Sequence, residues 1–550
     1  MPDEERVRKY LDIFDELKTI RRPWEKLWKE IIPYVNPRRS FFDNDTAYAD
    51  DGSAVGEDIG DDHAINAADT LVRGLVGYNV GPRIRWFQLK HSIPEFNDLP
   101  YVADWFAACD EVCYKIFSNS NFYASSMEYT SDLVTVGTPT MVVEDPIEFM
   151  TLVYDTRHPK ETYILSGRNR SIDLSVRRVW MKGRTVLERY SESELTKDLR
   201  ENCEEEPLGS HEILHIVHPQ RDKYFEGMGS KNRPWIGVEI LAEDEEILRE
   251  AGYYENPVIV ARWQTNSDED YGRSPALNSK SSIRKVNEIG RTLTEAGQLA
   301  VEKPLNIPDY MRGKEQIVPH GRNYYKRDNR KIEAIDLGGE YPIGLDVLNR
   351  WYESIDKHFH TELFEMLTRS ERQMTAREIN ERMGEKVALL AGPLTGMNNE
   401  FLKPVVKRTF HIALRNGWLP VPPMVLLQTG GQIDVDFIGP LAQAQQRYHQ
   451  AHNINSGLSV ISAVGEIKPE VWDNIDLDEL IRKIATSEGF PEEAIREIPE
   501  RDKLRAARAR AIQQQRMLEQ AGQVADAYPK LNEPVQPNSP VDLMTTQGRL

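Results

Sequence analysis

Pro275-Ala-Leu-Asn-Ser-Lys-Ser-Ser-Ile-Arg-Lys-Val-Asn-Glu-Ile-Gly-Arg-Thr-Leu-Thr-Glu-Ala-Gly-Gln-Leu-Ala-Val-Glu302 is the stretch whose reading decides the fold. It sets Ile283, Val286, Gly290, Leu293, Gly297 and Ala300 at alternating three- and four-residue spacing, one face of a long helix. Gly344 to Met366 repeats the rhythm with Leu345, Leu348, Tyr352, Ile355, Phe359 and Leu363. At 1.5 Å per residue the two would reach ~42 Å and ~35 Å. Out and back, such a pair is long enough to cross a protein shell; it also fits an ordinary helical hairpin with a long connecting loop.

The connecting segment, Lys303–Tyr341, offers Leu305-Asn-Ile307 and Ile332–Ile335 as candidate strands. Between Arg312 and Lys331 it carries Arg312, Lys314, Arg322, Lys326, Arg327, Arg330 and Lys331 against Glu315 and Asp328, a local surplus of +5 in a chain of net charge −19. That surplus reads either as solvated loop charge or as a contact surface for an acidic partner or phosphates.

At 550 residues the chain should hold several packed units, and 40% hydrophobic residues suffice for real cores. A sequence pI near 5.3 excludes a general nucleic-acid-binding surface held by charge. Three cysteines, Cys109, Cys113 and Cys203, cannot make a disulfide framework. Cys109 and Cys113 are expected to pack in a core. The charged start, Met1-Pro-Asp-Glu-Glu-Arg6, is unlike a signal peptide, and no apolar run suits a membrane span, so the expectation is a soluble, cytoplasmically made protein.

Helices are expected from the start to about Ile32 (stopped by Pro33 and Pro37), over about His63–Val76, Val102–Ser118 and Phe122–Val136. Asp43–Asp62 reads as a polar loop. From Thr140 to about Trp263 short β-type runs follow: Thr140–Val143, Glu161–Leu165, Arg177–Trp180, Ile213–Val217, Trp235–Leu241 and Val258–Trp263. Glu201–Glu206 reads as a solvated acidic loop. Beyond the hairpin, Thr368–Gln373 is a polar loop with Arg369 and Arg372. Thr375-Ala-Arg-Glu378 has capping-box spacing, opening a helix with Ile379, Met383, Val387 and Leu390 inward. Gly392-Pro393 is expected to bend it, with a second segment over about Thr395–Asn416 ended by Gly417. Asp434–Ile438 reads as a strand, and Leu441–Ala451, Pro469–Thr486 and Pro499–Ala521 as helices. Pro529–Leu550 reads as a disordered tail.

No nucleotide-binding loop, dinucleotide fingerprint, nucleophile elbow or His-Glu-x-x-His helix is present. His358 and His360, two apart on a helix, read as surface or packing residues. The carboxylates of Glu239–Glu246 and Asp268–Asp270 read as scattered charge rather than a metal-dependent nuclease site. No enzyme, cofactor or metal is expected.

Several segments together resemble the portal, or head-to-tail connector, proteins of short-tailed double-stranded-DNA bacteriophages of the podovirus type. They are Arg21-Arg-Pro-Trp24 through Ile32-Pro-Tyr-Val-Asn-Pro37-Arg, Ala67-Ala-Asp-Thr-Leu71-Val-Arg-Gly-Leu75 with Trp86-Phe87, and Ser120-Asn-Phe122 through Asp132-Leu133 to Gly137-Thr138. Tyr271-Gly-Arg-Ser-Pro275, Thr375-Ala-Arg-Glu378-Ile with Glu385-Lys386 and Gly392-Pro393, and Ile438-Gly-Pro-Leu-Ala442 complete the set. The resemblance implies an α+β, mainly helical portal fold, closed as a ring of about twelve copies around a DNA channel at one capsid vertex. It implies a wing over 1–274 (β-rich over about 140–263), stem helices over 275–302 and 342–367, a clip over 303–341, and a tunnel loop over 368–374. Bent tunnel helices would follow over 375–417, a return to the wing over 418–440, a crown with C-terminal helices over 441–528, and the tail over 529–550. The implied partners are further copies of the chain, the major capsid protein, a scaffolding protein, the terminase large subunit, tail or adaptor proteins and passing double-stranded DNA, with no membrane insertion. Gly290 and Gly297 would let stem helices approach closely, the seven clip cations would dock partners, and Arg369 and Arg372 would meet DNA, or serve loop solubility or subunit ion pairs. The runner-up readings are a nuclease or motor component of the packaging machinery, or another ring-forming virion adaptor.

Overall fold

A computed structural model of the chain describes residues 3–39, 59–144, 148–220, 232–317, 322–325, 330–335, 341–368, 388–428, 433–443 and 498–531. The chain divides into two compact units, Met1–Gln446 and Arg447–Leu550. The first is α+β with helix predominating, as expected.

Helix α1 (Asp3–Val35) serves two cores. Val7, Phe14 and Leu17 pack with Tyr163, Val176, Leu214 and Val238 of a β-sheet, while Trp28, Ile31, Ile32 and Val35 enter the main core. The expected stop at Pro33 is wrong: the helix passes through Pro23 and Pro33 and yields to a 3-10 turn at Pro37–Arg39. A proline removes one amide donor, and the buried Ile31, Ile32 and Val35 offset that loss. Arg21, with no exposed surface, donates to the carbonyl oxygens of Thr162 (2.7 Å) and Lys160 (2.9 Å) and so pins α1 to the sheet.

Helices α2 (His63–Asn79), α3 (Pro100–Asn119) and α4 (Phe122–Thr135) lie within a few residues of their expected places. Cys109 and Cys113 are free and fully buried on α3. Strand β1 (Phe87–His91) pairs antiparallel with β12 (Ile433–Phe437), joining distant parts of the chain with Phe87 opposite Phe437.

The β-rich region forms two antiparallel sheets. Strands β2 (Thr140–Val143), β3 (Tyr154–Arg157) and β9 (Val258–Val260) run in the order β3-β2-β9. Strands β4 (Thr162–Ser166), β5 (Ile172–Lys182), β6 (Ser210–Pro219), β7 (Trp235–Leu241) and β8 (Glu246–Tyr253) make a meander in chain order. The two strands absent from the sequence reading, β3 and β8, are both edge strands. Edges carry charge that blunts further pairing, and that charge hides the alternation that marks a strand. The acidic run Glu201–Glu206 is not the expected loop: most of it lies in α6 (Lys197–Glu205), after α5 (Gly183–Arg189). Leu199 and Cys203, four apart, bury one face of α6 with Val186 and Tyr190, while Arg200–Glu204 pairs at 2.8 Å on the outside.

The hairpin region holds α7 (Pro275–Asn278), α8 (Lys280–Val301), α9 (Tyr341–Phe359) and α10 (Thr361–Thr368). Each expected long helix is therefore broken once, at Ser279 and at His360. After it come α11 (Ala391–Met397), a π-helical turn at Asn398–Leu402, α12 (Lys403–Arg415) and α13 (Met424–Gln428). Gly417, at φ +68°, follows α12 as anticipated. The π turn was not anticipated. It presents Glu400 to Arg262, which donates through its amide (2.8 Å) and its Nη2 (2.6 Å), and it stacks Phe401 on Tyr129 at 3.9 Å between centroids. Thr375 to Val387 lie outside the described residues; Leu390 is buried.

In the second unit the described element is α14 (Ile498–Leu531). It runs past the expected end at Ala521 and past Pro529, where a disordered tail was expected to begin. The helix expected at Pro469–Thr486 and most of that at Leu441–Ala451 lie outside the described residues.

Candidate functional site

The hairpin is anchored at its base by chemistry local to its first turn. Ser274 caps α7, its Oγ accepting from the Leu277 amide (3.0 Å) and donating to the Thr135 carbonyl (2.8 Å), with Pro275 at the first helical position. At the break, the Ser279 hydroxyl donates to the Pro275 carbonyl at 2.8 Å, which also accepts the Ser279 amide at 3.0 Å, and reaches the Ala276 carbonyl at 3.4 Å. Lys280 pairs with Glu30 of α1.

Along the pair, Ile283 and Val286 of α8 and Leu348, Ile355 and Phe359 of α9 are buried. The Ser282 and Ser354 hydroxyls meet at 3.1 Å, and the Lys285 ammonium lies 4.1 Å from the centroid of Trp351. A Cβ on Gly290 would stand 2.6 Å from the Gly60 carbonyl oxygen, whereas one on Gly297 would meet nothing within 4 Å. Toward its end α8 leaves apolar side chains that this chain does not cover, on more than one side: Leu299 is 46% and Val301 86% exposed. At the base α10 packs on α2, where Phe364 fills the space a side chain on Gly74 would need.

The tip is a small ribbon. Strand β10 (Leu305–Asn306) pairs antiparallel with β11 (Glu333–Ala334), two of the segments read as candidate strands, and the Ile335 amide donates to the Pro304 carbonyl at 2.8 Å. Gln316 and Asn323 close a loop, the Gln316 amide donating to Asn323 Oδ1 (2.8 Å) and Asn323 Nδ2 to the Gln316 carbonyl (3.0 Å). Beside it lies an open groove of about 490 Å³ with Leu305, Met311, Ile317 and Ile332 as its aliphatic lining and Tyr325 and Lys331 among its polar neighbours. Tyr324 is 83% exposed. Of the seven tip cations, Arg312, Lys314, Arg322, Arg330 and Lys331 are all exposed, and Lys331 sits 5.3 Å from the Tyr325 ring centroid. Lys326 and Arg327 lie outside the described residues.

The groups whose titration is most displaced lie in the cores, away from this groove. Burial lifts Asp110 to about 7 although it accepts from the Leu89 amide at 2.9 Å. Burial, with nearby cations, holds His158 down to about 3. A reaction centre would bring such groups together at a cleft. Among the described residues no cluster of three or more His, Cys, Asp or Glu side chains is placed to hold a metal ion, and no helix is long and apolar enough to cross a membrane.

The family model described as the bacteriophage head to tail connecting protein matches residues 7–495. The chain belongs to that family. It is also 26% identical over 544 residues to a "Probable portal protein" of Bordetella phage BPP-1, covering 96% of each chain. A "Portal protein" of Salmonella phage epsilon15 is 26% identical over 542 residues, covering 95% of each. This connector is therefore a structural component of a phage virion, and its family supports a portal fold.

The hairpin of the connector brings Gly290 and the described tip cations into one element. Arg369 and Arg372 lie outside the described residues. Gly392 and Pro393 fall in the first turn of α11, directly after a turn at Leu390. Sequence reading missed the residues that hold the hairpin from outside, Gly60–His63, which it had placed within or beside a polar loop. Their partners stand 226 to 293 residues away, and no local pattern points to them.

Proposed function

We propose that this connector forms a ring of about twelve copies at one capsid vertex, through which double-stranded DNA is packaged and ejected. In this reading residues 1–274 are the wing, 275–302 and 342–367 the stem helices, 303–341 the clip and 368–374 a tunnel loop. The tunnel helices then cover 375–417, 418–440 return to the wing, and the crown lies within 441–528. The ring would be bound by capsid and scaffolding proteins, by an ATP-driven terminase during packaging and by tail or adaptor proteins afterwards, and would itself hydrolyse nothing. The observation that carries the reading is the family match over 7–495, and the apolar side chains that α8 leaves uncovered near its end agree with it.

The acidic balance of the chain suits a DNA conduit. A cation-lined channel would bind phosphates and impose salt-dependent friction, because each neutralised phosphate releases counterions. The cationic tip is the exception and fits a docking face for an acidic segment that inserts an apolar side chain. Its aliphatic lining favours protein over nucleic acid, whose bases want flat aromatic platforms.

Mass measurement under assembly conditions tests the ring. About twelve subunits of 63.3 kDa should give roughly 760 kDa, with a hollow circle in end-on particle images. A chain that stays at 63.3 kDa overturns the proposal. Magnesium-dependent ATPase or nuclease activity would favour a packaging enzyme instead.

A further inference from the structure

We propose that Gly60–His63 form a proton-sensitive clasp that locks both long hairpin helices to the start of α2. The clasp belongs to the single chain and does not depend on the ring.

Gly60, Asp61 and His63 of this short strap are each engaged by the hairpin. Asn287, 4% exposed on α8, accepts through one oxygen from the amides of Gly60 (3.0 Å) and Asp61 (3.2 Å), while its Nδ2 donates to Ile283 of its own helix (3.0 Å). Two otherwise orphaned amides ahead of α2 are satisfied by one fixed side chain. Gly60 and Gly290 meet backbone to backbone, and a Cβ on either would stand 2.5 to 2.6 Å from a carbonyl oxygen of the other segment. The Asp61 carboxylate is divided: Oδ1 accepts from the His63 amide (2.8 Å) and Oδ2 from the Tyr352 hydroxyl on α9. The His63 ring lies stacked on Tyr352, 4.1 Å between centroids, and its Nε2 stands 3.0 Å from Asp356 Oδ1. The strap therefore grips α8 by hydrogen bonds and close contact, and α9 by hydrogen bonds, a ring stack and an ion pair.

The ion pair is the element that titrates near neutrality. The groups bearing on the imidazole are Asp356 of α9 and Asp61 and Asp62 of the strap, while α8 brings Arg291 alongside Gly60. The hydrogen bond to Asp356, outweighing burial and helped by the three carboxylates, raises the affinity of His63 for its proton. A group whose folded value is raised contributes stability that is complete below the unfolded value and is lost as pH rises through the folded one. The clasp is therefore tightest at mildly acidic pH, below the ordinary imidazole value, and relaxes as pH rises through the raised one. Burial and the Asp61 charge push the Tyr352 phenol up, so it keeps its proton and its bond to Asp61 throughout that range. Relaxation loosens the grip on α9 and leaves the grip on α8.

Hydrogen exchange of the full-length protein, read by mass spectrometry at about pH 5.5 and about pH 8 and corrected for intrinsic exchange, tests this. In the native sequence, amides of residues 346–359 should lose protection several-fold at the higher pH while those of 280–290 change less. His63→Gln should show the weaker protection at both pH values, and so should Asp356→Asn, which keeps an acceptor and removes the charge. Tyr352→Phe should weaken protection at both pH values and keep the difference between them. Equal protection at the two pH values in the native sequence, or a pH difference that survives both His63→Gln and Asp356→Asn, overturns the clasp.

Discussion

Gly290 and Gly297 look alike in the sequence, seven apart on one helical face, and their surroundings separate them. Gly290 is spent within the chain, its backbone against that of Gly60. Adding a methyl there forces backbone on backbone, and Gly290→Ala should cost about 1–3 kcal/mol in denaturant unfolding. Gly297 faces open space, so Gly297→Ala should stabilise the chain by up to about 1 kcal/mol through helix propensity. If Gly297 allows stem helices of neighbouring copies to approach, the same substitution lowers the yield of rings; a full yield of rings from a stabilised Gly297→Ala chain would remove that role.

At the scale of elements, the helices were legible wherever apolar spacing repeats over several turns, as in α1, α8 and α9. Their interruptions were not, because a break is a local backbone event that periodicity does not record: the Ser279 hydroxyl turns back on the Pro275 carbonyl in one case, and in the other His360 adopts φ +51°. The turn at Leu390 has a partial local cause, since Pro393 has no amide to donate back to Leu389. Replacing Gly392-Pro393 with Ala-Ala restores that donor and should straighten the entry to α11. In the proposed ring this should reduce DNA retention or assembly, measured as packaged genomes and virion yield; normal yield and infectivity would argue that no bend is needed there. The tip is a separate element with its own charge. Reversing Arg330 and Lys331 to Glu should leave ring mass unchanged while weakening capture of terminase or tail protein, with the native interaction falling as salt rises. Unchanged capture would move the docking face elsewhere.

For the whole molecule, the proposed channel sets a different demand on Arg369 and Arg372, which in a ring would repeat around the axis. Replacing both with Ala should lower packaging efficiency or genome retention, and unchanged values for both would return these residues to loop solubility or subunit ion pairs. At this scale the family was legible, because its motifs stand in order along most of the chain. Exposed apolar side chains such as Leu299 and Val301 at the end of α8 need a second surface to cover them. The clasp was illegible for the opposite reason, since Gly60, Asp61 and His63 look like ordinary polar loop residues until α8 and α9 are set beside them.

The residue order alone determined that this chain builds long amphipathic helices around β-rich cores, carries a cationic insert against an acidic background and lacks the motifs of an enzyme. Periodicity and charge are local properties, and they survive in a one-dimensional reading. Tertiary structure decided where the long helices break, that β3 and β8 are strands and Glu201–Glu205 a helix, and that Gly290 belongs to an internal contact with Gly60. Some of the partners are near, as β7 is to β8, and some far, as Gly60 is to Gly290, and the local pattern names none of them. A backbone group or side chain takes the conformation that satisfies its hydrogen bonds and buries its apolar surface, and only the folded chain supplies the partner.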